Sequence, residues 1–225
     1  MHKMGLNIAF AYAAVSKGMH MLYSSVAEGM TENLREKFPH LPILMVTDDA
    51  TPPIKGVHKI FRVDRNVPLM TWRMKVHQMA HQMAEEILFL EPDVRIVDAN
   101  LMEVFDKKDF DVAITGREID VMWEGEMISK TCPYTLGATF SRSAEFWREC
   151  KLACQKLDAK DQEWIGDMKA LAEVVNSGNF KVKVLDGSVY NHVPNDPHEA
   201  QTAKVLHYKG KRKDWLLPRA TEAAA

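Results

Sequence analysis

No apolar run in this chain approaches the roughly 18 residues that a membrane-spanning helix needs, so the sequence offers no transmembrane segment. Cysteine is scarce: Cys132, Cys150 and Cys154 are three thiols, an odd number without the spacing of a disulfide framework. Cys150 and Cys154 stand one helical turn apart, where packing is a simpler use than metal binding. A reducing compartment, and so a cytoplasmic location, is the expectation. Charge of one sign is not in excess either. The formal net charge of −2 excludes a global electrostatic drive toward nucleic acid or an anionic membrane. The chain also lacks a Walker phosphate loop, a G-x-G-x-x-G dinucleotide fingerprint and a G-x-S-x-G nucleophile elbow. Internal repeats and low-complexity tracts are missing as well.

What remains is ordinary globular composition, 46% hydrophobic and 27% charged over 225 residues. That length suits one domain with a sizeable core, expected over residues 1–218 and followed by a flexible tail at 219–225. The apolar run from Met4 to Val15 after Lys3 loosely imitates a secretory signal. Asn7 interrupts it, and Leu6–Ala11 reads better as a first buried strand.

Short apolar runs alternate with longer helical stretches, the pattern of an α/β fold with a mixed, mainly parallel sheet flanked by helices. Strands are expected at Leu6–Ala11, Pro42–Thr47, Val57–Val63, Ile87–Leu90, Phe110–Thr115, Gly137–Phe140, Val182–Leu185 and Ala203–Leu206. Helices are expected at Lys17–Phe38, Trp72–Glu86, Ser143–Lys156 (capped by Ser141 or Ser143) and Asp161–Asn176.

The chemistry concentrates in two places. Near the end, His207, Gly210 and Lys213 stand at H-x-x-G-x-x-K spacing, followed by Trp215. A neutral imidazole can bind a divalent ion, a glycine lets backbone approach a bulky anion, and a lysine can neutralise phosphate. The second place is Glu91-Pro92-Asp93, directly after the apolar run Ile87–Leu90. In open α/β sheets ligands bind beyond the carboxyl ends of strands. Two carboxylates two positions apart in extended chain point the same way, so both can reach one hard cation. Oxygen ligands suit Mg²⁺ or Mn²⁺, and an added imidazole tilts the choice toward Mn²⁺. His77 and His81, at i and i+4, could in principle bind zinc, but Gln78 stands where the zinc-protease pattern has glutamate, and a polar helix face is the expectation there.

Taken in order, these pieces resemble the glycogenin and lipopolysaccharide-galactosyltransferase family, the family-eight glycosyltransferases of the GT-A fold, over roughly Ile8 to Trp215. Trp72-Arg73-Met74-Lys75 is similar to the family's R-x-K helix, whose basic residues face the donor. Leu88-Phe89-Leu90-Glu91-Pro92-Asp93-Val94 is similar to its L-x-L-D-x-D-V metal segment. Asp111-Val112-Ala113 and Tyr134-Thr135-Leu136-Gly137-Ala138 match the next strand and the F-N-x-G-V sugar-pocket segment. Asp161-Gln162 resembles the D-Q pair beside the transferred sugar, and His207-x-x-Gly210-x-x-Lys213 the closing motif.

The resemblance implies a metal-dependent, retaining glycosyltransferase that uses a nucleotide-diphosphate sugar, UDP-sugar first. It implies metal ligands Glu91, Asp93 and His207, with Mn²⁺ or Mg²⁺ as cofactor. It implies donor contacts from Tyr12, Asp48, Arg73, Lys75, Thr135, Gly210 and Lys213, and sugar-orienting roles for Asp161 and Gln162. Three departures stand out: Glu91 replaces aspartate, Thr135 replaces asparagine, and Ala11-Tyr12-Ala13-Ala14 lacks the acids that help hold uridine. The acceptor is open among a sugar, a lipid, a protein and a modified base such as a hydroxymethylated pyrimidine in DNA. The contrasting reading is a non-catalytic sugar-nucleotide-binding module.

Overall fold

The computed structural model describes residues 4–13, 17–123, 125–197, 199 and 202–216. The expected tail at 219–225 lies outside them. In chain order the elements are β1 (Met4–Ala11), α1 (Lys17–Lys37), β2 (Ile43–Thr47), β3 (Lys59–Arg62), α2 (Leu69–Ala80), β4 (Ala84–Leu90), β5 (Val94–Ile96), β6 (Val112–Gly116), β7 (Met122–Trp123), β8 (Glu126–Met127), β9 (Tyr134–Ser141), α3 (Ala144–Gln155), α4 (Ala159–Trp164), α5 (Gly166–Asn176), β10 (Val182–Leu185), α6 (Gly187–Tyr190) and β11 (Val205–His207). Two 3-10 segments, Ala99–Asp106 and Gly210–Leu216, complete the description.

Seven strands form one sheet in the order β10-β6-β9-β4-β1-β2-β3. Its pairs are parallel except those of β9, which runs antiparallel to both β4 and β6. The central strands are apolar on both sides because both faces are covered. Ala9 and Phe89 face a core built with Trp72, Trp147 and Leu171 from α2, α3 and α5. Their neighbours Ile8, Phe10, Leu88 and Leu90 point the other way, toward Met30, Leu34, Leu101 and Phe140, as a period of two requires. Full burial of each such side chain contributes about 1.5–3 kcal/mol. No helix among the described residues is long and apolar enough to cross a membrane.

Several elements depart from the sequence reading, among them the strands expected at Val57–Val63 and Ala203–Leu206, which lie at Lys59–Arg62 and Val205–His207. The helix expected to run from Trp72 to Glu86 ends at Ala80, and Ala84 already pairs with Met4 in the sheet. The helix expected over Asp161–Asn176 divides at Ile165, whose φ of −118° interrupts it. Gly166 permits that junction, since a Cβ there would lie 2.7 Å from the Asp161 carbonyl and 3.0 Å from Cys154 Sγ. The strand expected at Gly137–Phe140 extends to Tyr134–Ser141. Of the two proposed caps, Ser143 begins α3, its hydroxyl accepting from Phe146 N–H at 3.1 Å. Ser141 instead accepts from Trp147 Nε1–H at 2.8 Å.

Candidate metal and diphosphate site

Strands β4, β1 and β2 are parallel neighbours, so the residues just past their carboxyl ends share one edge of the sheet. Those residues are Glu91, Tyr12 and Asp48. Glu91 leaves β4 with its N–H donated to the Gly137 carbonyl at 3.0 Å. Asp93 stands before β5, which pairs antiparallel with β11 and sets Val94 opposite His207. The Tyr208 N–H then donates to the Asp93 carbonyl at 2.9 Å. A two-stranded ribbon thus carries His207 from the end of the chain onto the acidic turn after β4.

His207 Nε2 lies 3.0 Å from Glu91 Oε2 and 3.2 Å from Asp93 Oδ1. The three ligand atoms fall within 4.8 Å of one another, and among the described residues no other group of histidine, cysteine and acids does so. Two carboxylates and an imidazole fit a divalent cation, with Mn²⁺ the better match and Mg²⁺ next. His207 and Asp93 are buried and Glu91 half-buried. Burial alone would raise the Glu91 carboxyl, but Arg73 and then His207 hold it well below its usual range. Burial likewise opposes ionisation of Asp93, and His207 and Lys213 overcome it. The His207 imidazole is pushed down by burial and, more strongly, up by Asp93 and Glu91.

Two cations are built onto this cluster. Lys213 ion-pairs with Asp93. It is carried there by the 3-10 turn that Gly210 opens at φ +61°, a conformation that disfavours any side chain. Arg73, on α2, ion-pairs with Glu91 and, at 2.8 Å, with Asp167.

The remaining expected residues have local partners of their own. Asp48 is buried, accepts from Thr51 N–H at 2.8 Å and lies 3.6 Å from Arg65. Tyr12 is buried, and its phenol is raised by that burial and then by Asp48. Thr135 is buried against Thr115, hydroxyl to hydroxyl at 2.8 Å. Lys75 turns away from the acids and donates to the Asp64 carbonyl at 3.0 Å. Asp161 is paired with Lys169. Gln162 donates to the Leu157 carbonyl at 2.7 Å and accepts from Thr71 at 3.2 Å.

Sequence reasoning missed two residues bonded to members of this site, Asp167 to Arg73 and Asn191 to His207. Asp167 reads as mid-helix until the chain is seen to break at Ile165. Asn191, in the turn after α6, places its Oδ1 2.9 Å from His207 Nδ1; no local pattern announces it. His77 and His81 do not form the polar helix face that their spacing suggested. Both are buried, His77 stacked on Trp147 at 4.5 Å and donating to the Arg73 carbonyl at 2.7 Å, His81 bonded to Ser141 at 2.8 Å. Phe89 and Trp147 pull this helix face into the core.

No protein-family model and no curated sequence matches the chain. Solved structures do. A glycosyltransferase involved in the glycosylation of the major capsid of PBCV-1 is 14% identical over 93% of this chain and 98% of that one, with a TM-score of 0.60. An active-site mutant of LgtC is 16% identical over 92% of this chain and 88% of its own, at a TM-score of 0.53. GlyE of Streptococcus pneumoniae, a glycosyltransferase, is 12% identical over 95% of this chain, at a TM-score of 0.60; the match spans 56% of GlyE. At such identities the likeness defines the fold, which is the GT-A glycosyltransferase fold expected from the sequence.

Proposed function

We propose that this protein is a metal-dependent glycosyltransferase. In this reading it moves a sugar from a nucleotide-diphosphate sugar, UDP-sugar first, to a hydroxyl acceptor with retention of anomeric configuration. The observation that carries the reading is the meeting of Glu91, Asp93 and His207 at the carboxyl edge of the sheet, with Lys213 and Arg73 set against them. A divalent ion held by the first three would neutralise charge on the diphosphate that departs when the anomeric C–O bond breaks.

The chain's own residues would do the rest. Lys213 brings a cation to the same anion, where electrostatic stabilisation of developing charge is most effective. Gly210 keeps the turn that delivers Lys213 free of a side chain. Arg73 keeps Glu91 ionised and adds positive potential, and Asp167 anchors Arg73. Tyr12 and Asp48, at the ends of the adjacent strands, are assigned to the base and ribose. Thr135 is assigned to the sugar pocket, and Asp161 with Gln162 to the transferred sugar. Those last assignments rest on the family resemblance. Lys75, bonded to the 64–66 loop, is assigned to the donor rim.

For the acceptor, a carbohydrate hydroxyl is favoured. A structure of LgtC holds donor and acceptor sugar analogues. The basic residues that the sequence crowds at Lys204, Lys209, Lys211, Arg212 and Lys213 are also partly engaged within the chain: Lys213 with Asp93, Arg212 with the Pro194 carbonyl and Lys204 with the Asn100 carbonyl. That leaves less of a basic stripe for a modified base in DNA, the alternative whose binding would weaken steeply with salt. The test is Asp93→Ala, which should abolish metal-dependent nucleotide release while the protein stays folded. Unchanged release would reject the proposed centre, and donor binding without release in the wild type would favour a non-catalytic binding module.

A further inference from the structure

The ring nitrogen of His207 that faces away from Glu91 and Asp93 is also tied down. Its Nδ1 lies 2.9 Å from Asn191 Oδ1, in a pocket where Asn191 is 1% and His207 2% exposed. An amide oxygen can only accept, so this contact requires the proton on Nδ1. The Nε2 atom, 3.0 Å from Glu91 and 3.2 Å from Asp93, is then the ring nitrogen left to face a cation.

The fold supplies Asn191 deliberately on three sides. Asp186 caps α6 by accepting from Ser188 N–H at 2.9 Å, and Asn191 N–H closes the helix on the Gly187 carbonyl at 2.9 Å. The next residue is stitched to the strand that carries the imidazole. His192 N–H donates to the Val205 carbonyl at 3.0 Å, and His207 N–H donates to the His192 carbonyl at 2.7 Å. The third side is β9. A Cβ on Gly137 would stand 1.8 Å from Asn191 Oδ1 and 2.6 Å from His207 Nδ1. Its backbone is not in the left-handed region, so space, not torsion, demands glycine. The same residue accepts Glu91 N–H at 3.0 Å through its carbonyl. Gly137 therefore leaves room for one partner of the centre while anchoring another.

We infer that Asn191 is a positioning residue that fixes His207 in the Nδ1-protonated form and aims Nε2 at the space shared with Glu91 and Asp93, with Gly137 providing its room. This rests on the reading of those three residues as a cation site. Outer partners of metal-bound histidines are the general means of setting tautomer and ring orientation, and their loss typically weakens metal binding by roughly 10–100-fold.

The experiment is titration of the full-length protein with Mn²⁺ alone, followed by the electron-spin signal of free ion, for wild type, Asn191→Leu and Asn191→Asp. Asn191→Leu should bind roughly 10–100-fold more weakly. Asn191→Asp, which keeps an acceptor, should bind at least as tightly as wild type. Nitrogen-15 spectra of the histidine rings in the wild-type protein with Mg²⁺ should show the His207 Nδ1 proton hydrogen-bonded and slow to exchange, a signature that ligation through Nε2 beside a merely space-filling asparagine would not produce. If wild type takes up no ion, the cation site itself is wrong. If it binds and Asn191→Leu matches it, or if the His207 proton sits on Nε2, the inference about Asn191 is overturned. Where the leucine variant does not fold, Asn191→Asp decides the matter: ion binding weaker than wild type would overturn the inference.

Discussion

Asp167 accepts from Arg73 at 2.8 Å, and the same guanidinium ion-pairs with Glu91. One arginine on α2 thus joins the first turn of α5 to the acidic edge of the sheet. Asp167 is pushed up by burial and held down mainly by Arg73, so neither partner is comfortable alone. Breaking a buried pair costs about 3–5 kcal/mol when the other charge is left stranded, but Arg73 keeps Glu91 when Asp167 is removed. Asp167→Ala should therefore lower unfolding stability by less than that, about 1–3 kcal/mol in a urea titration. A loss under about 1 kcal/mol would show that the pair is solvated in practice.

Gly137 gives a sharper steric prediction. Overpacking a core site costs about 1–3 kcal/mol, and here the added methyl would meet Asn191 and His207 directly. Gly137→Ala should therefore weaken Mn²⁺ binding as well as stability. Gly137→Ala with wild-type ion affinity would mean that the pocket relaxes without moving the imidazole.

Gly210 tests conformation without crowding. At φ +61° nothing lies within 4 Å of a Cβ built there, so Gly210→Ala meets backbone strain alone, about 1–2 kcal/mol. Nucleotide release should fall with it, because Lys213 rides on the turn that Gly210 begins. Full activity with reduced stability would separate the turn from the diphosphate.

His77 sets a pH dependence. Burial first, and Arg73 next, lower its imidazole from 6.5 to about 3, so it is neutral in the folded chain. Below the unfolded value of 6.5 the unfolded state binds the extra proton. Stability is therefore fully present above pH 6.5 and is lost as pH falls toward 3, by as much as about 5 kcal/mol. His207, raised by its carboxylates, acts with the opposite sign, losing its contribution only as pH rises through its folded value. Wild type should lose more stability between pH 7 and pH 5 than His77→Gln does; equal losses would place the acid sensitivity elsewhere.

The sheet and the residues that meet at its edge, Glu91, Asp93 and His207, were legible in the sequence because their motifs are local signals. Ile87–Leu90 is a continuous apolar run ending in two acids, and His207, Gly210 and Lys213 keep a fixed spacing. What escaped was decided by packing. The break at Ile165 depends on Gly166 sitting against Asp161 and Cys154, and without it Asp167 looks like one more helical acid. Asn191 acquires meaning only when α6 and β11 are side by side. The histidines of α2 looked polar by spacing, and Trp147, arriving from a different helix, makes them core.

The most direct measurement is nucleotide-diphosphate release from UDP-, GDP-, ADP- and TDP-sugars by the wild-type protein, with Mn²⁺ and with chelator. Release from one donor that requires Mn²⁺ and disappears in Asp93→Ala is the expected result. Undiminished release in chelator would contradict the metal-centred mechanism. Silence with every donor, together with no thermal stabilisation by any of them, would contradict the assignment of this edge of the sheet as a nucleotide-sugar site.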